Sequence, residues 1–167
     1  HVHREGKEFN REEFHSNPEN YKSDFLKYTQ AADVLINGAY WNPNAPRLFS
    51  REAMIDPSFK IKIVADISCD INGSVPATIK ATDVSNPVYD YNPISHTAEN
   101  AFNNEKLISV MAVDNLPCEL PRSASEDFGR DLIDRVLPSL LINDREGILH
   151  RATIAKANKL TENFRYL

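Results

Sequence analysis

Three stretches of this chain are apolar almost without interruption, and polar or turn-forming residues separate them. They are residues 32–37, residues 60–67 (with Ile61, Ile63, Val64, Ala65 and Ile67) and residues 107–113. Runs this short and this apolar predict strands. Strands of that kind, with helices between them, predict a parallel sheet covered on both faces. Asn17-Pro18-Glu19 reads as a helix start, Asn as N-cap and Pro at the first helical position. Phe25, Leu26 and Tyr28 then give that helix an apolar side to about residue 31. A shorter helix is expected from Ser50 to just before Pro57, after a proline-containing loop over residues 40–48. Residues 71–100 read as turns, punctuated by Asn72-Gly73, Asn86-Pro87 and Asn92-Pro93. Ser123-Ala124-Ser125-Glu126 has the form of a capping box. The helix it opens carries an apolar stripe of Phe128, Leu132, Ile133, Val136, Leu137, Leu140 and Leu141, with Pro138 as a kink. A last helix is expected over residues 145–164.

Composition narrows the function classes. Hydrophobic content of 41% and charged content of 26% are ordinary for a globular domain. The net charge is −5 with no Lys/Arg block, so nucleic acid is not an expected partner. No apolar run approaches the roughly 20 residues that span a bilayer, so no membrane partner is expected. Two cysteines, Cys69 and Cys118, make no disulfide framework and point to a reducing cytoplasm. Residues 1–16 are polar and read as an irregular arm. His1, His3 and His15 within it are read as free histidines rather than metal ligands, since a metal needs several converging donors. Only five glycines are present, none clustered, and the chain starts at His1. Both observations lead to the expectation of a fragment.

In an open α/β sheet, ligands bind beyond the carboxyl ends of the strands. Three segments leave those ends: residues 37–48, Asp66-Ile67-Ser68-Cys69-Asp70, and Asp114-Asn115-Leu116-Pro117. Parallel neighbours would bring Asp70, Asp114 and the Tyr40-Trp41 loop to one edge. Against this stand the ordinary roles of such residues: Asp after a strand often turns the chain or caps a helix, and Tyr and Trp in a proline-rich loop often pack. Cys118 has no His nearby in sequence to activate it and reads as a bystander thiol.

Three ordered blocks carry a resemblance. They are Asn37-Gly38-Ala39-Tyr40-Trp41 with Ala45-Pro46-Arg47-Leu48, then Asp66 to Ser74 in an Asp-Ile-x-x-Asp-x-x-Gly pattern, then Val113-Asp114-Asn115-Leu116-Pro117 leading into Leu120-Pro121-Arg122-Ser123-Ala124-Ser125. Over about residues 17–142 the chain resembles the alanine dehydrogenase and saccharopine dehydrogenase group. Ile36-Asn37-Gly38-Ala39-Tyr40-Trp41 and Ser68-Cys69-Asp70 favour the lysine-forming saccharopine dehydrogenase branch, also called lysine-ketoglutarate reductase. Alanine dehydrogenases tend to carry Val-Pro-Gly in the first loop and Asp-Gln-Gly-Gly in the second.

The resemblance implies a partial Rossmann-like fold of class α/β, a parallel sheet flanked by helices with two C-terminal helices beyond it. Residues 1–16 would then be an arm, 17–122 the second part of a nicotinamide dinucleotide-binding domain, and 123–167 helices returning toward a missing substrate domain. It also implies hydride transfer between NAD or NADP and an imine carbon, interconverting saccharopine with lysine and 2-oxoglutarate. Asp114, Asn115 and Leu116, with Tyr40 and Trp41, fall on the nicotinamide side, and Asp70 near the reacting centre. The family's phosphate-binding glycine turn has no counterpart here, nor does its catalytic Lys and His pair. The chain alone is therefore expected to be inactive, with only feeble nicotinamide binding. An alanine/pyruvate enzyme and a non-catalytic interaction domain of the same fold are the rival readings. The apolar stripe after Ser123 implies a missing N-terminal domain of the same protein as partner, and self-association in its absence.

Overall fold

The computed structural model describes residues 1–39, 41–165 and 167, arranged as two units, His1–Leu116 and Pro117–Leu167. The first residues are not irregular. Strand β1 (Val2–His3) pairs antiparallel with β2 (Tyr21–Lys22), and helix α1 (Arg11–Ser16) lies between them in sequence. Asn10 caps α1 by accepting from the Glu13 amide at 2.9 Å. The fully buried Tyr21 collects the rings of His3, Phe9 and Phe14 around it. That pairing also overrides the helix expected from Asn17. The Asn17 side chain makes no cap bond, Pro18–Asn20 is a single 3-10 turn, and the backbone then spends its hydrogen bonds on β2. Only α2 (Leu26–Thr29) remains of that helix.

The three expected strands are present: β3 (Val34–Asn37), β4 (Ile63–Asp66) and, after a hairpin described next, β7 (Ile108–Met111). β3 and β4 run parallel with Asn37 opposite Asp66, and β4 and β7 run parallel with Ala65 opposite Met111. The turn-rich stretch before β7 holds two further strands, β5 (Val88–Asn92) and β6 (Thr97–Asn100), both antiparallel to their neighbours. The sheet is therefore mixed, in the order β3-β4-β7-β5-β6. The α/β class holds, with its parallel part confined to β3, β4 and β7.

One face of this sheet makes the core. Leu35, Val64, Ile108, Val110, Tyr89 and Tyr91 pack there against Phe49, Met54, Phe59, Ile61, Val75 and Ala77. On the other face Val34 (50% exposed), Ile36 (72%) and Ile63 (48%) meet solvent. The expected double covering is thus corrected: β3 is an edge strand with Leu35 and Asn37 on its packed face and Val34 and Ile36 on its open one. No helix among the described residues is long and apolar enough to cross a membrane.

In the second unit, α3 (Pro121–Asp131) starts two residues before the expected capping box. Pro121 takes the first turn and no side chain caps it, so Ser123 sits inside the helix rather than at its end. Leu132–Val136 forms a π turn before α4 (Leu137–Leu141). Pro138 lacks an N–H and crowds the carbonyl four residues back, so the expected kink is absorbed by this widened turn. The long final helix is absent. α5 (Ile148–Ala152) stops at the extended Thr153, and β8 (Ala155–Lys156) and β9 (Lys159–Leu160) follow as a hairpin. Ala157 and Asn158 both take positive φ there, as a tight two-residue hairpin turn requires.

The two faces of the sheet should respond differently to truncation. Val110→Ala removes buried methyls from the core and is expected to cost about 2 kcal/mol. Ile36→Ala, on the open face, should cost less than about 1 kcal/mol. Urea unfolding midpoints measure both, and equal losses would contradict the assignment of a single packed face.

Candidate functional site at the carboxyl edge of the parallel strands

Parallel register carries the ends of β3 and β4 to the same edge, where two polar residues face each other inside the protein. Asp66 is 1% exposed and Asn37 4%. The Asn37 amide donates to Asp66 Oδ1 at 2.8 Å and lies 3.0 Å from Ser74 Oγ; the Thr78 hydroxyl donates to Asp66 Oδ2 at 2.5 Å. A carboxylate is costly to bury without partners. Here the partners come from β3 and from the far side of the loop after β4, so satisfying Asp66 also fixes that loop. Sequence reasoning passed over Asp66, Asn37, Ser74 and Thr78 as a set, because their bonds join positions 29, 37 and 12 residues apart.

The loop itself explains its own motif. Cys69 and Asn72 take left-handed backbone conformations, which strain non-glycine residues and persist only under external restraint. The Gly73 amide donates to the Asp70 carbonyl at 2.8 Å, and a Cβ on Gly73 would lie 2.4 Å from the Asp70 Cβ. Glycine is therefore required three residues after Asp70 by space alone. Asn72 is held twice, its amide donating to the Thr78 carbonyl at 2.7 Å and its Oδ1 accepting from Arg51 at 2.8 Å. Asp70 is thereby presented half-buried at the edge. Burial, and next the charge of Asp66, push its carboxyl above the usual carboxylate range.

After β7 the chain stays buried through Ala112 and Val113, with Thr82 bonded to Ala112 on both sides, and then emerges. Asp114 and Asn115 are exposed and their side chains make no hydrogen bond among the described residues; Leu116 is half-buried and opens a 3-10 turn. Cys69 joins the two exits. Its thiol donates to the Ala112 carbonyl at 2.9 Å. Burial raises the thiol pKa first, followed by the charges of Asp66, Asp114 and Asp70. Asp70 and Asp114 thus act on one and the same group. The first loop reaches this edge through Ala39, whose carbonyl accepts from Ser68 Oγ at 2.9 Å. Trp41 is half-buried, with its indole N–H buried and unpartnered among the described residues. Tyr40 lies outside the described residues. Among the described residues, no group of three or more His, Cys, Asp or Glu converges as a metal site.

No family model matches the sequence. Among curated proteins, the chain is 31% identical to the alpha-aminoadipic semialdehyde synthase of Arabidopsis thaliana over 96% of its own length and 16% of that protein's. It is 26% identical to the mitochondrial alpha-aminoadipic semialdehyde synthase of Rattus norvegicus, covering 93% of this chain and 19% of that one. It is 30% identical to the lysine-forming, NAD(+) saccharopine dehydrogenase of Emericella nidulans, over 73% of this chain and 31% of the other. The chain therefore spans less than a third of the length of each of these relatives.

The shared influence on Cys69 is testable by alkylation, which proceeds through the thiolate. Asp114→Asn and Asp70→Asn each remove a negative charge that holds the thiol protonated. Each should move the pH–rate profile of Cys69 alkylation by iodoacetamide toward lower pH, followed by mass spectrometry with Cys118 as internal reference. A profile unmoved by either change would separate the two carboxylates and dissolve the site.

Proposed function

The chain is homologous to one part of the alpha-aminoadipic semialdehyde synthases and lysine-forming saccharopine dehydrogenases, and we propose that it forms the nicotinamide-facing part of an oxidoreductase interconverting saccharopine with lysine and 2-oxoglutarate. The observation that carries this reading is the likeness to relatives so named across most of the chain. The geometry supports it, since the Asp70 loop and the Asp114 exit meet at Cys69 where the parallel strands end. Residues 17–122 serve in this reading as the second part of the dinucleotide domain, and 123–167 as the return toward the substrate domain. The names of the relatives favour the lysine branch over the alanine one.

The residues present suit a nicotinamide ring. Asp114 offers an unengaged carboxylate just beyond a strand end, able to accept a hydrogen bond from a carboxamide and so fix which ring face is presented. Leu116 supplies an apolar contact beside it, and Asn115, with Trp41 and Tyr40 of the first loop, is assigned to the same ring. Asp70, half-buried and held in place by Gly73, stabilises positive charge on the substrate as it develops. When bound, NAD or NADP supplies or accepts the hydride. The two cysteines are unpaired, which supports a reducing compartment such as the cytoplasm. Phe128, Ile133, Leu140 and Leu141 stand exposed along α3 to α4, and we assign this stripe to a contact with another domain of the complete protein.

In the complete enzyme, Asp114→Ala should lower turnover or weaken nicotinamide binding by roughly thirty- to a thousand-fold, the equivalent of about 2–4 kcal/mol for one oriented interaction. Unchanged steady-state constants in a folded variant would remove Asp114 from the site. The chain by itself should self-associate through the uncovered stripe. Light scattering at micromolar concentration that returned a monomer of 18.9 kDa would mean that the stripe needs no partner.

A further inference from the structure

A second constellation is joined to the Asp70 loop through Asn72. Arg47, Phe49 and Arg51, with Ser23, Ser50 and Glu52, line a cavity of about 460 Å³. Its floor is apolar, because Phe49 is buried in the core. Its charge is not. Neither Arg47 nor Arg51 forms an ion pair among the described residues, and Arg47 makes no hydrogen bond there either. Arg51 is anchored at one end, Nη2 donating to Asn72 Oδ1 at 2.8 Å, while its Nε is buried without an acceptor. A guanidinium N–H taken out of water normally has a partner.

The other polar groups of the cavity are already engaged. The Ser23 hydroxyl donates to the Leu48 carbonyl and accepts from the Phe25 amide. Ser50 Oγ accepts from the Ala53 amide at 3.2 Å. The Ser50 hydroxyl and the backbone N–H of Glu52, and after them the charges of His96 and Arg51, hold the exposed Glu52 carboxyl below its ordinary range. The donors left over are those of two guanidiniums, one anchored and one exposed. Planar forks of N–H donors match the paired oxygens of a carboxylate or a phosphate.

We propose that the Arg47–Arg51 cavity is a binding site for an oxyanion, a phosphate or carboxylate group gripped between the two guanidiniums. This site shares no residue with the Asp70–Asp114 edge and does not rest on the oxidoreductase reading. Because Arg51 is bonded to the loop that presents Asp70, an anion here would also stiffen that loop. The test is nuclear magnetic resonance on the full 167-residue chain, following the Nε–Hε signal of Arg51 while inorganic phosphate or succinate is added at constant ionic strength set with chloride. The expected result is a saturating shift with a dissociation constant on the order of millimolar, weakened about tenfold in Arg47→Gln, the equivalent of about 1.4 kcal/mol. Arg47 is exposed, so this variant keeps the fold, and the rest of its spectrum checks that. Tighter saturation by phosphate identifies a phosphate site, tighter saturation by succinate a carboxylate site, and equal saturation a general oxyanion site. Shifts that stay linear, that chloride reproduces, or that Arg47→Gln leaves unaltered would overturn the proposal.

Discussion

A single buried carboxylate organises the carboxyl edge of the parallel strands. Asp66 ends β4 inside the core, and burying its charge is tolerable only because the Asn37 amide and the Thr78 hydroxyl reach it from two different segments. Those two bonds are also tethers. One locks the end of β3 to the end of β4; the other draws the chain twelve residues on back beneath the loop it has just left. The conformation of residues 67–78 follows from the need to satisfy Asp66, and so does the position of Asp70.

A second anchor comes from the antiparallel strand β5. Tyr89, in the β5–β6 hairpin, donates its hydroxyl to the Ala77 carbonyl at 2.8 Å and accepts from the Ile79 amide at 2.9 Å. Burial pushes that phenol up to about 12, so it stays a donor at any physiological pH. The loop bearing Asp70 is thereby pinned by a carboxylate at one end and a phenol at the other. Loops that carry chemistry are positioned by rigid scaffolds, and here the antiparallel addition to a parallel sheet supplies half of the scaffold.

The residues tell why some of this could be read from the sequence and some could not. β3, β4 and β7 were legible because their apolar runs are short and bounded, and parallel strands then oblige their exits to share an edge. That reasoning brought Asp70 and Asp114 together. β5 was hidden because Tyr89 and Tyr91 alternate with Asp90 between two Asn-Pro signals, so turn chemistry masked a period of two. The helices from Asn17 and over residues 145–164 failed for a different reason: β2 and the β8–β9 hairpin satisfy the same backbone groups through pairing that local propensity does not register. Asp66 was visible as a motif residue, yet its role depends on Asn37 and Thr78, and no local pattern announces contacts across that distance.

Three aspartates surround Cys69, and their exposure separates their work. Asp66 is sealed in and spends both oxygens on the fold. Asp70 is half-buried, raised by its surroundings, and has its backbone constrained by Gly73. Asp114 is exposed and its side chain is bonded to nothing described. A group whose bonding capacity is consumed internally cannot also serve a ligand, whereas a group with free lone pairs at a strand exit has no structural reason to be charged. The same logic sets Arg47 apart from the helix-surface arginines Arg122, Arg130 and Arg135, each of which faces a carboxylate on its own helical segment. Along this edge, readiness to bind is read best from what a side chain leaves unspent, since residue type alone does not separate Asp66 from Asp114.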